Sequence, residues 1–153
     1  MRVWRLCQAA YAKRALTGEG GLYSPGRWHL QGARVVYAAA TLSLAALELL
    51  VRMDRAFAPT DLTAVEIEIP GSVEVERLPW SKLPAGWDAY PAQESTQQLG
   101  THWVEAGKTA VLAVPSAVIP RESNFVLNPA HPQFRRIRAV ETMPFSFDPR
   151  LLA

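Results

Sequence analysis

Between Val35 and Val51 the chain is almost wholly apolar and carries a single charged side chain, Glu48. A run this apolar has to be kept from water. Thr41, Ser43 and Glu48 interrupt it and it falls short of a membrane span, so its place is a protein core. Its two halves read differently. Arg34 to Ala39 has strand character, with Val35, Tyr37 and Ala39 on one face. Thr41 or Ser43 then caps a helix predicted to run to about Phe57, where Pro59 stops it. Ahead of the strand, Gly18, Gly20, Gly21, Pro25, Gly26 and Gly32 punctuate a loop that is long for a compact domain. Long ordered loops commonly carry function. The run Gly18-Glu19-Gly20-Gly21 is no dinucleotide fingerprint, because the third glycine is missing and no helix follows directly.

The rest of the chain divides into short elements. Residues 2 to 6 form a weak first strand, followed by a short helix through Ala9 to Leu16. Leu62 to Ile69 alternates cleanly, with Val65, Ile67 and Ile69 on one face and Glu66 and Glu68 on the other, as a half-buried strand does. Val73 to Arg77 repeats the pattern after a Pro70-Gly71 turn signal. Prolines 79, 84 and 91, with Trp80 and Trp87 between them, predict an irregular connection. A helix over Gln93 to Glu105 and a short apolar strand over Thr109 to Val114 follow. The tail from Phe125 to Phe147 alternates strand-like runs with Pro129, Pro132 and Pro144. Strands and helices do not alternate regularly, which predicts an α+β domain over residues 1–153 rather than a doubly wound parallel sheet.

Composition narrows the function classes. The chain is 49% hydrophobic and 20% charged, which is globular and too apolar for disorder. A net charge of +2 gives no polyanion-binding surface. Arg135, Arg136 and Arg138, the densest basic cluster, read as exposed positions of a short strand, so no nucleic-acid binding is expected. Cys7 is the only cysteine, and His29, His102 and His131 lack helical i, i+4 spacing, so neither a disulfide nor a metal site is expected. Lys13 and Arg14 break any apolar signal region. No membrane association is expected, and a cytoplasmic location fits these features.

Single residues say little by themselves. Glu48 and Arg52 form an i, i+4 pair in the favourable order, and Thr41, Arg52 and Arg55 lie on the Glu48 side of the helix. Leu42, Ala46, Leu49 and Met53 lie opposite, so pattern alone favours a solvated Glu48. Arg27, between Gly26 and Trp28, suits bidentate phosphate binding, though an exposed loop arginine stacked on Trp28 is the plainer reading. Tyr37 suits ring stacking, yet strand tyrosines are mostly core. Ser116 sits at a strand end after Pro115, where side chains reach a cleft or merely form a turn. Asn124 and Asn128 flank a short apolar run, a common place for turn asparagines.

Taken in order, these residues do more. GLYSPGRWHLQGARVVYAAATLSLAALELL, LPAGWDAY, LGTHWVEAG, VPSAVIP, SNFVLNPAHPQF and FSFDPRLL together resemble a RES domain, in one register from about Val3 to Leu152. The resemblance implies that the family's arginine is Arg27, its glutamate Glu48 and its serine Ser116, with Ser123 the lesser candidate. Tyr37 and Asn124 match the family's tyrosine and asparagine, while His29 stands where asparagine is common. It further implies an ADP-ribosyltransferase-like fold, with a split, mainly antiparallel sheet around an NAD+ cleft. The implied function is that of a bacterial type II toxin, held inactive by an Xre-type helix-turn-helix antitoxin. Such a toxin cleaves the nicotinamide–ribose bond of NAD+ by hydrolysis or phosphorolysis and arrests growth. The alternatives are ADP-ribosyl transfer to a specific protein and a binding module that keeps the fold. NAD+ is then substrate, and no cofactor is implied. Glu48 would stabilise the ribosyl cation, Arg27 clamp the pyrophosphate, Tyr37 pack on the nicotinamide-ribose end, and Ser116 and Asn124 touch the ligand.

Overall fold

The alternating run after Asp61 forms a strand over Leu62–Glu68, with Ala64, Val65 and Ile67 wholly buried. In the computed structural model, which describes residues 1–153, it is the third of seven strands. The others are β1 (Arg2–Gln8), β2 (Val36–Ala39), β4 (Val75–Arg77), β5 (Val111–Pro115), β6 (Ser123–Leu127) and β7 (Arg138–Phe145), the Leu62–Glu68 strand being β3. Three α-helices accompany them: α1 (Gly20–Tyr23), α2 (Leu42–Leu50) and α3 (Glu94–Ala106). The strands lie in the order β4-β5-β6-β2-β1-β3-β7. Only β4 and β5 run parallel, and α3 lies in the crossover between them, as a parallel connection requires. The mixed α+β architecture expected from the irregular alternation is what the chain adopts.

The sheet is split along one line. β1 pairs with β3 through seven residues, Arg2↔Glu68 to Gln8↔Leu62, and β2 pairs with β6 through four. Between β1 and β2 only Trp4↔Ala39 is in register. The two half-sheets are nevertheless packed together, because Val3, Val36, Ala38, Val65, Ile67 and Leu127 share one core. Each wholly buried valine, leucine or isoleucine there contributes on the order of 1.5–3 kcal/mol relative to exposure. The opposite face is covered near the split by α2, whose Leu44 and Ala45 pack on Ala39. Further along, Trp28 and Trp103 pack on Val35, Leu112, Val114 and Val126.

Some boundaries differ from the sequence expectation, each for a local reason. α2 is capped by Thr41, whose Oγ1 accepts from the Leu44 N–H at 3.1 Å, but it ends at Leu50 rather than Phe57. Asp54 Oδ1 accepts from the Ala56 N–H and starts a separate 3-10 turn over Arg55–Phe57, offering the backbone an alternative to helix. Arg135 and Arg136 are not strand residues. They close a 3-10 turn, Pro132–Arg136, that His131 caps, and Arg138 alone belongs to β7. No helix is long and apolar enough to cross a membrane, and no three His, Cys, Asp or Glu side chains converge to hold a metal ion.

Candidate functional site

Where β1 and β2 part, the sheet leaves a cavity of about 530 Å³. Trp4, Arg5 and Leu6 of β1 form one wall and Tyr37, Ala38 and Ala39 of β2 another. Glu48 of α2, Asn124 of β6 and the loops carrying Arg27 and Tyr90 complete it. A second hollow, about 740 Å³, lies at the β4–β5–β6 end beside Arg77, Trp80 and Arg121. None of the Glu48 cluster lines it. The chemistry is concentrated in the cavity at the split.

Glu48 is half-buried and anchored from behind. Its Oε1 accepts from the Ser116 hydroxyl at 2.7 Å and from the Asn124 side-chain amide. The expected pair with Arg52 does not form through the carboxylate: Arg52 Nε donates to the Glu48 backbone carbonyl at 2.8 Å instead. The solvated-face reading fails because α2 is apolar nearly all round. Its Leu44–Ala45 stripe meets the sheet, and a second stripe through Ala46, Leu49, Leu50 and Met53 packs on Leu62, Phe145 and Phe147. With two buried stripes, helical periodicity cannot say which side Glu48 takes.

Ser116 is wholly buried and does not line the cavity. Its Oγ accepts from the Val118 and Ile119 N–H groups, both at 3.0 Å, while its own proton goes to Glu48. It therefore acts on a ligand only through Glu48. Asn124 both lines the cavity and bonds Glu48, whereas Ser123 borders the other hollow. Asn128 is buried and bonds the Val104 carbonyl and the Ala130 N–H, a purely structural use.

Arg27 is neither an idle loop arginine nor stacked on Trp28. Its Nη1 donates to the Trp87 and Ala89 carbonyls at 2.7 and 2.8 Å and so pins the proline-rich connection against the cavity. Trp28 is buried and stacks on Trp87 instead, with ring centroids 6.2 Å apart. The loop itself is held from α3. Gln97 donates to the Gly26 carbonyl, and Thr101 accepts from the Leu30 N–H. Between them Gly100 lets the Trp28 carbonyl lie against the helix, where an added Cβ would stand 1.9 Å from its oxygen.

Tyr37 and His29 form a closed relay. The Trp28 N–H donates to the Tyr37 oxygen at 3.1 Å, and Tyr37 bonds His29 Nδ1 at 2.7 Å. His29 Nε2 faces the Ser24 carbonyl at 3.0 Å, so it must carry the ring proton and Nδ1 must accept from Tyr37. Burial lowers the His29 pKa and raises that of Tyr37, so both stay neutral near pH 7. The Tyr37 hydroxyl is thus committed, and its ring is what remains for a ligand. The sequence assigns no role to His29, nor to Gln97, Gly100 and Thr101, although the last two fall in the LGTHWVEAG stretch. Their i, i+3, i+4 spacing on α3 was the signal that could have found the last three.

Arg5 was also missed. From β1 its Nη1 crosses the split to the Tyr37 carbonyl at 3.0 Å, and its Nε is buried without a partner. Three arginines, Arg5, Arg27 and Arg52, therefore line the cavity with Glu48 and Asp88. Cations, a fixed carboxylate and aromatic rings suit a ligand with phosphates and planar rings.

Comparison with known proteins identifies the family and the fold. The chain is 37% identical to the Prs ADP-ribosylating toxin of Sphingobium sp., over 97% of this chain and 95% of that protein. It is 39% identical to a Toxin Res of Pseudomonas putida, over 99% of each. In fold it resembles a chain of the M. tuberculosis MbcT–MbcA toxin–antitoxin complex, with a TM-score of 0.71 at 18% identity, covering 99% of this chain and 86% of that one. The model of the RES domain matches residues 2–148, and the chain belongs to the RES domain family.

Proposed function

We propose that the protein is the toxin of a type II toxin–antitoxin pair and cleaves the nicotinamide–ribose bond of NAD+. The observation that carries this reading is the carboxylate of Glu48, fixed by Ser116 and Asn124 at a largely apolar cavity that Arg5, Arg27 and Arg52 also line. Breaking the bond sends its electron pair to the nicotinamide nitrogen. The ring leaves neutral and needs no general acid. Positive charge grows instead on the ribose, where a preoriented carboxylate stabilises it. Oε1 of Glu48 is engaged by its two donors, which leaves Oε2 for the ribose and the incoming acceptor. Tyr37 offers its ring to the nicotinamide-ribose end, and Asn124 lines the same cavity beside Glu48. Ser116 is a positioning residue, because it reaches the ligand only through Glu48. Arg27 supports binding by holding the wall at Trp87 and Ala89, and its remaining nitrogens are available to the pyrophosphate.

Expression of the chain without its antitoxin should lower cellular NAD+ and arrest growth, and Arg27→Ala and Glu48→Ala should be tolerated. For the purified Glu48→Ala protein, NAD+ consumption should fall by on the order of 10²–10³. A wild-type protein that is toxic while cellular NAD+ stays level sinks the proposal. ADP-ribose as product identifies hydrolysis, and its 1-phosphate identifies phosphorolysis.

A second reading is transfer of ADP-ribose to a specific host protein, favoured by the name of the Sphingobium relative. Label passing from adenylate-labelled NAD+ to a protein band would support it. The proposed partner is an Xre-type helix-turn-helix antitoxin. Co-expression with the helix-turn-helix protein encoded beside it should restore growth.

A further inference from the structure

We propose that Arg5 and Arg52 form an anion subsite on the β1–α2 side of the cavity, where they hold a phosphate group apart from Arg27. This rests on the reading of the cavity as an NAD+ site. The argument begins with unpaired charge. Neither guanidinium has a carboxylate partner: Arg5 Nη1 bonds a carbonyl and its Nε is buried and bonded to nothing. Arg52 spends Nε on the Glu48 carbonyl, which leaves both Nη atoms free of protein partners. Both residues line the same cavity. They are close enough that the charge on Arg52, added to the larger effect of burial, lowers the Arg5 pKa.

Arg5, whose Nε is buried, and the exposed Arg52 face one hollow with no carboxylate bonded to either, so they repel and Arg5 carries a desolvation cost. An anion relieves both penalties. A guanidinium presents a planar fork that fits two phosphate oxygens, so the chemistry that matches is a phosphate group. Its place follows from the helix. Arg52 lies one turn beyond Glu48, so the phosphate would sit beside the reacting carboxylate. Arg27, tied to Trp87 and Ala89, serves the opposite wall.

Two sources supply such a group. One is the pyrophosphate of the dinucleotide. The other is inorganic phosphate in place of water as acceptor. In that case a phosphate oxygen forms the bond to the ribose C1′ as the C1′–nitrogen bond breaks. The electron pair leaves on nicotinamide, and the proton of the phosphate passes to solvent.

The test compares wild type with Arg5→Gln, Arg52→Gln and Arg52→Lys. It measures affinity for ADP-ribose and for inorganic phosphate, together with the ligand-free unfolding temperature. Arg5→Gln and Arg52→Gln should weaken one of these two probes by about 10- to 100-fold. Arg52→Lys should recover part of the loss. Loss of ADP-ribose affinity assigns the subsite to the dinucleotide. Loss of phosphate affinity alone, with NAD+ turnover no longer responding to phosphate, assigns it to the acceptor. Without ligand, Arg5→Gln should unfold no lower than wild type, because an uncompensated buried charge has been removed. Unchanged affinity for both probes overturns the proposal. So does an Arg5→Gln protein that loses ligand-free stability yet binds both normally, since Arg5 is then only a bridge to Tyr37. If wild type binds pyrophosphate through these arginines but never consumes NAD+, the subsite stands and the NAD+ reading falls. If wild type consumes NAD+ and the variants match it in KM and phosphate response, the subsite falls alone.

Discussion

Ser116 shows how much one hydroxyl can organise. It takes two backbone N–H groups and gives its proton to Glu48, all without reaching the cavity. Ser116→Ala leaves the Val118 and Ile119 amides without an acceptor, which should cost about 1–3 kcal/mol measured by denaturant unfolding. The same change loosens Glu48, so kcat for NAD+ should fall while KM holds. A raised KM at constant kcat would mean direct ligand contact and contradict the buried placement. His29 makes a prediction in pH. Burial holds its pKa below the ordinary 6.5, so the unfolded chain takes the proton first. Its contribution to stability is fully present above that ordinary value and is lost as pH falls through the lower folded value. The unfolding temperature should drop from about pH 7 toward pH 5, and His29→Asn should flatten that drop. An equal drop in both proteins would assign the effect to other groups.

At the scale of elements, α3 matters through its docking more than through its own residues. Gly100 is where the Trp28 carbonyl meets the helix, and a methyl group there would collide with backbone rather than with a movable side chain. Gly100→Ala should therefore destabilise the protein by about 1–3 kcal/mol or more and displace the Arg27 loop. The loss should appear together in the unfolding temperature and in NAD+ turnover. Legibility in the sequence followed the same division. β3 announced itself because Val65 and Ile67 meet the core while Glu66 and Glu68 alternate with them, although Leu62 and Ala64 on the glutamate face are buried as well. α2 was harder, since apolar neighbours on both sides erase the stripe that would have turned Glu48 inward. Arg27, Glu48, Tyr37, Ser116 and Asn124 could be ordered by resemblance. That Ser116 lies behind Glu48 could not, because it depends on a turn whose backbone amides carry no side-chain signal. Arg5 was hidden for a related reason: in a strand the sequence reads as weak, an arginine looks exposed, and only the split in the sheet gives it a carbonyl to reach.

For the whole molecule, the governing fact is that the site lies at the line where the sheet is least bonded. Backbone pairing is dense within β1–β3–β7 and within β5–β6–β2, and a single registered pair joins them. The shared apolar core and α2 supply the remaining cohesion. A ligand touching Arg5 on one side and Asn124 on the other binds both halves at once. At a concentration of about 100 times its Kd it would add roughly 2.7 kcal/mol to stability. Hydrogen exchange should report this locally: ADP-ribose should slow the amides of β1 and β2 more than those of the β3–β7 pair. Uniform slowing across all strands would argue against a ligand seated in the split. The lone rung between Trp4 and Ala39 also gives turnover a mechanical side. On the proposed reading, NAD+ would fasten the two halves on binding, and the ADP-ribose left by cleavage would go on holding them until it departs. Product release, rather than cleavage, would then undo the fastening, and the ligand-free protein should be the looser state.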